Sequence, residues 1–444
     1  MLYRKYRDKF IRPAILLLAC AALSITAWTG FSEPAAAQGN TAGKAAQSSG
    51  YYRIAALGDS ITAGYEYGFS EHSVPYGYVE HIFEQSLFLG NRTAYTNYGI
   101  LGLRTTGLHA LVQAAADGRT ASPDDIQKKL PDPRAKDIVS RTKELNTSLK
   151  QADLIVMTIG GNDLFDVMVK LQQKSPIEEA NALLEDLLNT YEQELEAALR
   201  IIVKLNPDAK IAIADQYLPV PAPLKVGSFT IPLFPEYQRQ FLLKGLGQLH
   251  DRLNSIVARL NKEGAHAIAV NISAPFLGSE TKLTSIADGD VHPNRQGYAA
   301  IGRAFSKAVW GSYRTVRPRA ADVSISVVAA GKELPANASK PIIRDGRTFV
   351  AMRDIADALG AKLSWSSSSQ TATFDYNGHR AVIAIGSKYI VVDGIRTELK
   401  GPPAFLSDVK ESAGKTYLPL AALSDSLGLQ VVYREPLQTV FINK

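Results

Sequence analysis

Cysteine is almost missing from this 444-residue chain, which contains a single one, Cys20. That residue lies in an N-terminal segment with the features of a cleaved leader. If the leader is removed, no thiol remains for a disulfide, a thiolate nucleophile or a cysteine-ligated metal. A disulfide-stabilised fold and thiol chemistry are then excluded for the mature chain.

Clustered positive charge is also lacking, although the net charge is +6. Residues 1–37 carry five basic and two acidic side chains, so they supply half of that excess. The remaining 44 basic and 41 acidic residues form no long basic run. Binding to nucleic acid relies on clustered lysine and arginine, so this composition argues against it.

The N-terminal apolar run, residues 14–28, falls short of the ~20 residues of a membrane-spanning helix. It follows a basic start and precedes Ala35, Ala36 and Ala37, which together indicate a signal peptide over residues 1–37. A lipoprotein site at Cys20 is the alternative. Residues 38–50, rich in small and polar residues, are predicted to be a flexible lead-in. We expect the mature protein to be secreted or attached to the cell surface.

What the chain does contain is an alternation of strands and helices. Apolar runs of strand length occur at residues 53–57, 154–159, 210–214 and 265–271. Amphipathic helices are predicted over about 177–205 and after Pro293. Strands buried on both faces and separated by helices indicate a parallel sheet with helices on both sides.

Ser60 directly follows the first predicted strand, within residues 58–62 (Gly-Asp-Ser-Ile-Thr). Binding sites of open α/β sheets lie at the carboxyl ends of the strands. We expect residues 61–63 to open a helix, whose N-terminus would favour negative charge near the hydroxyl. A serine is equally suited to cap that helix, so the position alone leaves both roles open. Thr62 replaces the second glycine of Gly-x-Ser-x-Gly, which excludes that motif.

Two later segments offer the groups that a serine nucleophile needs. Residues 160–163 (Gly-Gly-Asn-Asp) follow another strand, where Asn162 is either an oxyanion donor or an ordinary helix cap. His292 stands between Asp290 and a predicted helix, as a base with its orienting carboxylate does. The other histidines lack such a setting: His72, His81, His109, His250, His266 and His379. No metal-ligand spacing is found, so no cofactor is expected.

Taken in order, residues 58–60, Gly102, residues 160–163 and residues 290–294 resemble the four blocks of the SGNH hydrolases, also called GDSL esterases. The resemblance covers residues 51–313. It implies a flavodoxin-like α/β/α sandwich with a parallel sheet of about five strands. It also implies that Ser60 is the nucleophile and His292 the general base. The implied oxyanion hole consists of the backbone N–H groups of Ser60 and Gly102 and the side chain of Asn162.

One position departs from that family pattern. The family usually has an aspartate three residues before the histidine, whereas this chain has Gly289. Acidic residues stand two and four residues before it, at Asp290 and Asp288. We favour Asp290 as the orienting carboxylate, with Asp288 or a backbone carbonyl as alternatives.

The C-terminal part contains an internal repeat after a predicted linker at residues 314–322. Residues 347–350, Leu359, Trp365 and Gln370 recur 68 residues later, which predicts two copies of a strand, a helix and a strand pair around one core. Residues 341–350 (Pro-Ile-Ile-Arg-Asp-Gly-Arg-Thr-Phe-Val) resemble the domain named after the N-terminus of copper amine oxidases. We expect residues 323–444 to be a smaller α+β domain of this kind, a wall-associated or stalk-like module that binds no copper.

These observations predict a secreted serine esterase, for which an O-acetylated carbohydrate is one possible substrate. A lipase, lysophospholipase or thioesterase acting on acyl lipids is the alternative, because the Pro-rich segment 220–235 has room for an acyl chain. A hydrolase domain that has lost activity and serves as a cell-surface binding protein is the alternative of another class. The expected partners are an acylated small molecule, glycan or lipid and, for the C-terminal domain, a cell-wall polymer.

Overall fold

The computed structural model describes residues 50–444 except 71, 174, 227–228, 232–233, 345, 400, 408–413, 421 and 423–426. The predicted signal peptide, Cys20 and nearly all of the predicted lead-in lie outside the described residues. The chain divides into two compact units. The first comprises residues 55–79 and 96–305, and the second comprises residues 52–54, 80–95 and 306–444.

The main sheet has five strands in the order β2-β1-β3-β4-β7. Its strands are β1 (Tyr52–Gly58), β2 (Thr93–Gly99), β3 (Leu154–Thr158), β4 (Lys210–Ala214) and β7 (His266–Val270). β3 pairs in parallel with β4, and β4 with β7. A two-stranded hairpin, β5 (Leu224–Val226) and β6 (Phe229–Ile231), follows β4. This strand order is the flavodoxin-like one, so the predicted fold class is confirmed.

Helices alternate with these strands along the chain and follow the last of them. In chain order they are α1 (Tyr78–Phe88), α2 (Thr105–Ala116), α3 (Pro123–Ile126), α4 (Ala135–Ser140), α5 (Thr142–Gln151), α6 (Phe165–Gln172), α7 (Ile177–Leu205), α8 (Glu236–Lys262), α9 (Ser273–Phe276), α10 (Glu280–Leu283) and α11 (Arg295–Trp310). The stripe predicted for α7 is buried at Leu188, Leu195 and Leu199. Asn206 ends this helix and donates to the carbonyl oxygens of Leu149 and Ala152.

Two elements carried no clear signal in the sequence. β2 reads Thr-Ala-Tyr-Thr-Asn-Tyr-Gly and is half exposed at the edge of the sheet, so it has no continuous apolar run. α8 is 27 residues long, yet Gly245 and Gly247 interrupt its helical pattern. Glycine costs a helix interior about 1 kcal/mol relative to alanine, and packing of the buried face of α8 outweighs that cost.

The second unit contains the repeat, and the repeat is visible in its strand pairing. Its elements are β8 (Ser326–Ala329), β9 (Lys332–Glu333), β10 (Ile342–Arg344), β11 (Arg347–Ala351), α12 (Met352–Leu359), β12 (Lys362–Ser366), β13 (Thr371–Tyr376), β14 (His379–Ala384), β15 (Tyr389–Val392), β16 (Ile395–Glu398), β17 (Phe405–Leu406), β18 (Thr416–Pro419), β19 (Gln430–Arg434) and β20 (Thr439–Asn443). β11 pairs antiparallel with β18, and Val350 faces its repeat partner Leu418. Both belong to one buried core, which confirms two repeats around a shared core. The segment expected to form the helix of the second copy falls mostly outside the described residues.

The second unit also has a smaller aromatic cluster. The rings of Phe88 and Phe441 meet edge to face at 4.8 Å between centroids. Asn443 donates its side-chain amide to the carbonyl oxygen of Leu87. Residues 314–322, all of them described, contain neither helix nor strand, and the guanidinium of Arg314 donates to the carbonyl oxygen of Phe88. This bond attaches the beginning of the irregular segment to the end of α1.

Candidate active site

Ser60 lies two residues beyond the carboxyl end of β1, in a tight turn. The turn is closed by bonds from the Ala63 and Tyr65 N–H groups to the carbonyl oxygens of Asp59 and Ser60, both at 3.0 Å. The expectation that residues 61–63 open a helix was wrong, because the chain makes one turn there and the next helix begins at Tyr78. Ser60 therefore does not stand at the N-terminus of a helix.

A buried polar network holds this turn on the sheet. The Thr62 hydroxyl lies 2.8 Å from the Tyr78 hydroxyl and 2.8 Å from the Thr158 hydroxyl on β3. Thr158 in turn donates to Asp59 Oδ1 at 2.7 Å, and the Ile61 N–H donates to the same oxygen. Burial raises the pKa of Asp59 to about 6, although these bonds and the nearby His292 oppose the rise. The residue before Ser60 is thus buried and fixed by hydrogen bonds.

His292 lies between Ser60 and Asp290. Its Nε2 is 2.9 Å from Ser60 Oγ, and its Nδ1 is 2.6 Å from Asp290 Oδ1. The His292 backbone N–H donates to the same carboxylate oxygen at 2.8 Å. Serine and histidine are each 6% exposed and the aspartate 1%. These contacts have the arrangement of a serine nucleophile, its general base and an orienting carboxylate.

The loop before His292 explains why the carboxylate is two residues away. Gly289 has φ +84°, the left-handed region, where an aspartate would be strained. The chain therefore turns at Gly289 and presents Asp290 to the imidazole, while Asp288 lies exposed in a 3₁₀ turn. The Tyr217 hydroxyl donates to the carbonyl oxygen of Val291 at 2.8 Å and ties the loop to the end of β4.

The three hydrogen-bond donors of the implied oxyanion hole are not used up by the fold. Among the residues described here, the backbone N–H groups of Ser60 and Gly102 find no acceptor. Asn162 donates one Nδ2 hydrogen to the carbonyl oxygen of Leu103 at 2.9 Å, which leaves the other for a ligand. Gly102 has φ +81°, and a Cβ there would stand 2.6 Å from the ring of Pro131. Free donors of this kind are what an oxyanion requires.

Two side chains that the sequence did not single out clamp the Gly102 loop. Gln127 accepts the Arg104 N–H at 2.8 Å and donates to the carbonyl oxygen of Gly102 at 2.9 Å. Asp132 accepts the Leu101 N–H at 2.8 Å. No motif marks either residue, because each reaches the loop from 25 or more residues further along the chain. They fix the loop that carries the Gly102 N–H.

A cavity of about 130 Å³ adjoins the serine and the imidazole. Ser60, Asn162 and His292 all line it, and most of the remaining wall is apolar.

Two kinds of site are not found. No group of three or more metal-ligating side chains occurs among the described residues. In the same part of the chain, no helix is long and apolar enough to cross a membrane.

Fold and site together define an α/β serine hydrolase. The model of the GDSL-like lipase/acylhydrolase family matches residues 56–300, more than half of the chain. The protein belongs to that family. The copper amine oxidase N-terminal domain model matches residues 328–442, so both predicted resemblances are confirmed.

Individual relatives are more distant. The chain is 27% identical to the uncharacterized protein YpmR of Bacillus subtilis (strain 168) over 192 residues, which are 42% of this chain and 61% of YpmR. The match thus spans less than two thirds of that relative. Among solved structures, the lipase Lip_vut3 from a goat rumen metagenome is 18% identical over 59% of this chain and 99% of its own, with a TM-score of 0.39.

Carbohydrate esterases are similar at the same level. A variant of Axe2, an acetyl-xylooligosaccharide esterase of Geobacillus stearothermophilus, is 18% identical over 60% of this chain and 97% of its own, with a TM-score of 0.34. A family 3 carbohydrate esterase of Clostridium thermocellum is 18% identical over 58% and 94%, also with a TM-score of 0.34. Similarities this low decide nothing about the substrate.

Proposed function

We propose that this protein is a serine esterase that forms an acyl-enzyme on Ser60. The observation that carries the proposal is the contact series from Ser60 Oγ to His292 Nε2, 2.9 Å, and from His292 Nδ1 to Asp290, 2.6 Å. A serine hydroxyl is a weak nucleophile unless a base removes its proton. Here the base lies within hydrogen-bond reach and a buried carboxylate orients it.

The proposed reaction assigns one task to each group. His292 takes the Ser60 proton as Oγ attacks the ester carbonyl carbon, and Asp290 stabilises the imidazolium. The N–H groups of Ser60, Gly102 and Asn162 donate hydrogen bonds to the carbonyl oxygen and stabilise its negative charge. The bond to the alcohol then breaks, and His292 gives its proton to the leaving oxygen. Water attacks the acyl-enzyme by the same route and releases the acid.

Two substrate classes are open to such an esterase, O-acetylated carbohydrates and acyl lipids. The cavity supports the second class, because its wall is apolar well beyond the space that an acetyl methyl group fills. An acetyl group would leave most of this wall in contact with water, whereas a longer apolar acyl group would cover it and stabilise the complex by about 25 cal/mol per Å² of apolar surface buried. We therefore favour an ester or thioester with an apolar acyl group.

The alternative of another class is a catalytically inactive cell-surface binding protein. The geometry of the site argues against it. A domain that no longer catalyses has no need to keep a buried serine, histidine and aspartate in contact. Binding of a cell-wall polymer by residues 323–444 is a further prediction, which cosedimentation of the full chain with cell wall would test.

The proposal extends to location. The predicted signal peptide supports export, with a mature chain that is secreted or held at the cell surface. The first residue of the mature chain distinguishes the two routes. It is Gln38 after cleavage behind Ala37, and a lipid-modified Cys20 for a lipoprotein.

Replacement of the nucleophile tests the proposed reaction. In Ser60→Ala, hydrolysis of p-nitrophenyl butyrate should fall about 10⁶-fold, as when a serine nucleophile is removed elsewhere. The side chain is small, so circular dichroism and the melting temperature should stay near wild type. Turnover by a folded Ser60→Ala protein at the wild-type rate would show that another residue attacks the ester.

A further inference from the structure

The wall of the cavity is built by three helices that contribute no catalytic group. Its apolar side chains include Val167 and Met168 from α6, Leu184 from α7, and Leu242 from α8. Val167, Leu184 and Leu242 are also part of the main hydrophobic core. An apolar group that displaces water from this surface stabilises the complex by about 25 cal/mol per Å² of apolar surface buried.

The proton path tells which part of an ester this wall receives. His292 must face the leaving oxygen to protonate it, so the alcohol lies on the imidazole side. The Tyr65 ring packs against this imidazole, with 4.4 Å between the two ring centroids. The carbonyl oxygen must face the donors. Asn162 is followed by Asp163 and then by Leu164, which lines the cavity ahead of α6. With the oxygen and the alcohol directed in this way, the acyl chain is the part of the ester that we assign to the apolar wall.

One position in this wall has no side chain. Gly245 is buried within α8 and lines the cavity. A Cβ there would lie 3.2 Å from both methyl groups of Leu184, which lines the same cavity. Gly247, two residues later, is exposed and a Cβ there would meet nothing within 4 Å. The missing side chain at Gly245 thus leaves space in the cavity, whereas that at Gly247 does not.

We propose that the cavity holds the acyl chain of the substrate, that this chain is longer than butyryl, and that Gly245 determines how much of it fits. The inference rests on the proposed esterase function. A larger side chain at Gly245 must either enter the cavity or push Leu184 into it. Both displacements shorten the space for the acyl chain without touching the reacting atoms.

The test is an acyl-length series with a constant leaving group. p-Nitrophenyl acetate, butyrate and octanoate are compared for wild type, Gly245→Val and the control Gly247→Val. Both changes replace a glycine in α8 by the same β-branched residue, so their effects on the helix are matched. Wild type should prefer octanoate to acetate in kcat/KM.

In Gly245→Val, kcat/KM for octanoate should fall roughly 10- to 200-fold, the range for a misfit of a methylene or more, while acetate changes less than about twofold. Gly247→Val should match wild type on all three esters. If Gly245→Val does not fold, Gly245→Ala should show the same trend at smaller size. Equal effects on acetate and octanoate, or a wild-type preference for acetate, would overturn the inference.

These outcomes are separable from the esterase proposal itself. If wild type hydrolyses none of the three esters, the proposed function fails. If it hydrolyses them through Ser60 but Gly245→Val leaves the length profile unchanged, only the assignment of the cavity fails. A second series with constant butyrate and leaving alcohols of increasing size is the counter-test, since a profile that shifts there instead would place the alcohol in the cavity.

Discussion

The polar edge of the sheet and the apolar wall of the cavity face the same space but are built in opposite ways. The edge consists of Ser60, Asn162 and His292, each on a loop that follows a strand or precedes a helix, and each fixed by hydrogen bonds. The wall consists of side chains on α6, α7 and α8 that are held by packing. The edge can be read as short motifs, whereas the wall is recognisable only after folding. The edge carries out the reaction, whereas the wall selects the acyl chain. Substitutions in the edge should therefore change the rate for all esters, and substitutions in the wall should change the preference for acyl length.

Loss of the orienting carboxylate should have the largest effect of the predictions in this section. Asp290→Asn keeps the shape of the side chain but removes the charge that stabilises the imidazolium. We expect kcat to fall about 10⁴-fold, the size seen for such a change in a serine triad, and by the same factor for acetate and octanoate. Asp288→Asn, in the exposed neighbouring turn, is the control and should be within about twofold of wild type. Steady-state kinetics on both esters check this. A large fall of kcat in Asp288→Asn, with Asp290→Asn near wild type, would contradict the assignment.

Loss of an oxyanion donor should be smaller. Asn162→Ala removes the Nδ2 donor, and kcat should fall about 10²- to 10³-fold, the cost of one such donor. KM should change little, because the interaction forms mainly in the transition state. The factor should again be independent of acyl length. An effect confined to octanoate would place Asn162 in the wall and break the distinction drawn above.

The smallest expected effect concerns stability and pH. The pKa of Asp59 is raised by burial from 3.8 to about 6, so between these values the folded protein holds a proton that the unfolded chain releases. Stability from this group is therefore lost as the pH rises from about 4 to about 6. Asp59→Asn cannot ionise, so its melting temperature should gain on that of wild type across this window. A difference between the two that does not change with pH would contradict the raised pKa.

The sequence predicted the edge better than the rest because its residues stand next to one another in short blocks. Ser60 alone could equally have been a helix cap, and the order of Gly102, Asn162 and His292 after it decided the interpretation. The prediction that residues 61–63 open a helix was wrong, because the chain forms a single turn there. Gln127 and Asp132 went unnoticed because they reach the Gly102 loop from a distant segment.

The wall was not predictable for a physical reason. Val167, Leu184 and Leu242 have the spacing of ordinary core residues, and only the tertiary packing leaves a cavity among them. Gly245 has a low helix propensity, so the sequence pattern did not predict α8. In the folded protein the same residue is where a side chain would meet Leu184. Local propensity and function make conflicting demands at this position.

The most direct test of the account is covalent labelling of the full chain with a fluorophosphonate, followed by peptide mapping. The hydroxyl that His292 activates should take up the label, so one adduct is expected, on Ser60, and none in Ser60→Ala. A wild-type protein that hydrolyses esters yet carries the label on another residue, or carries none, would contradict the account.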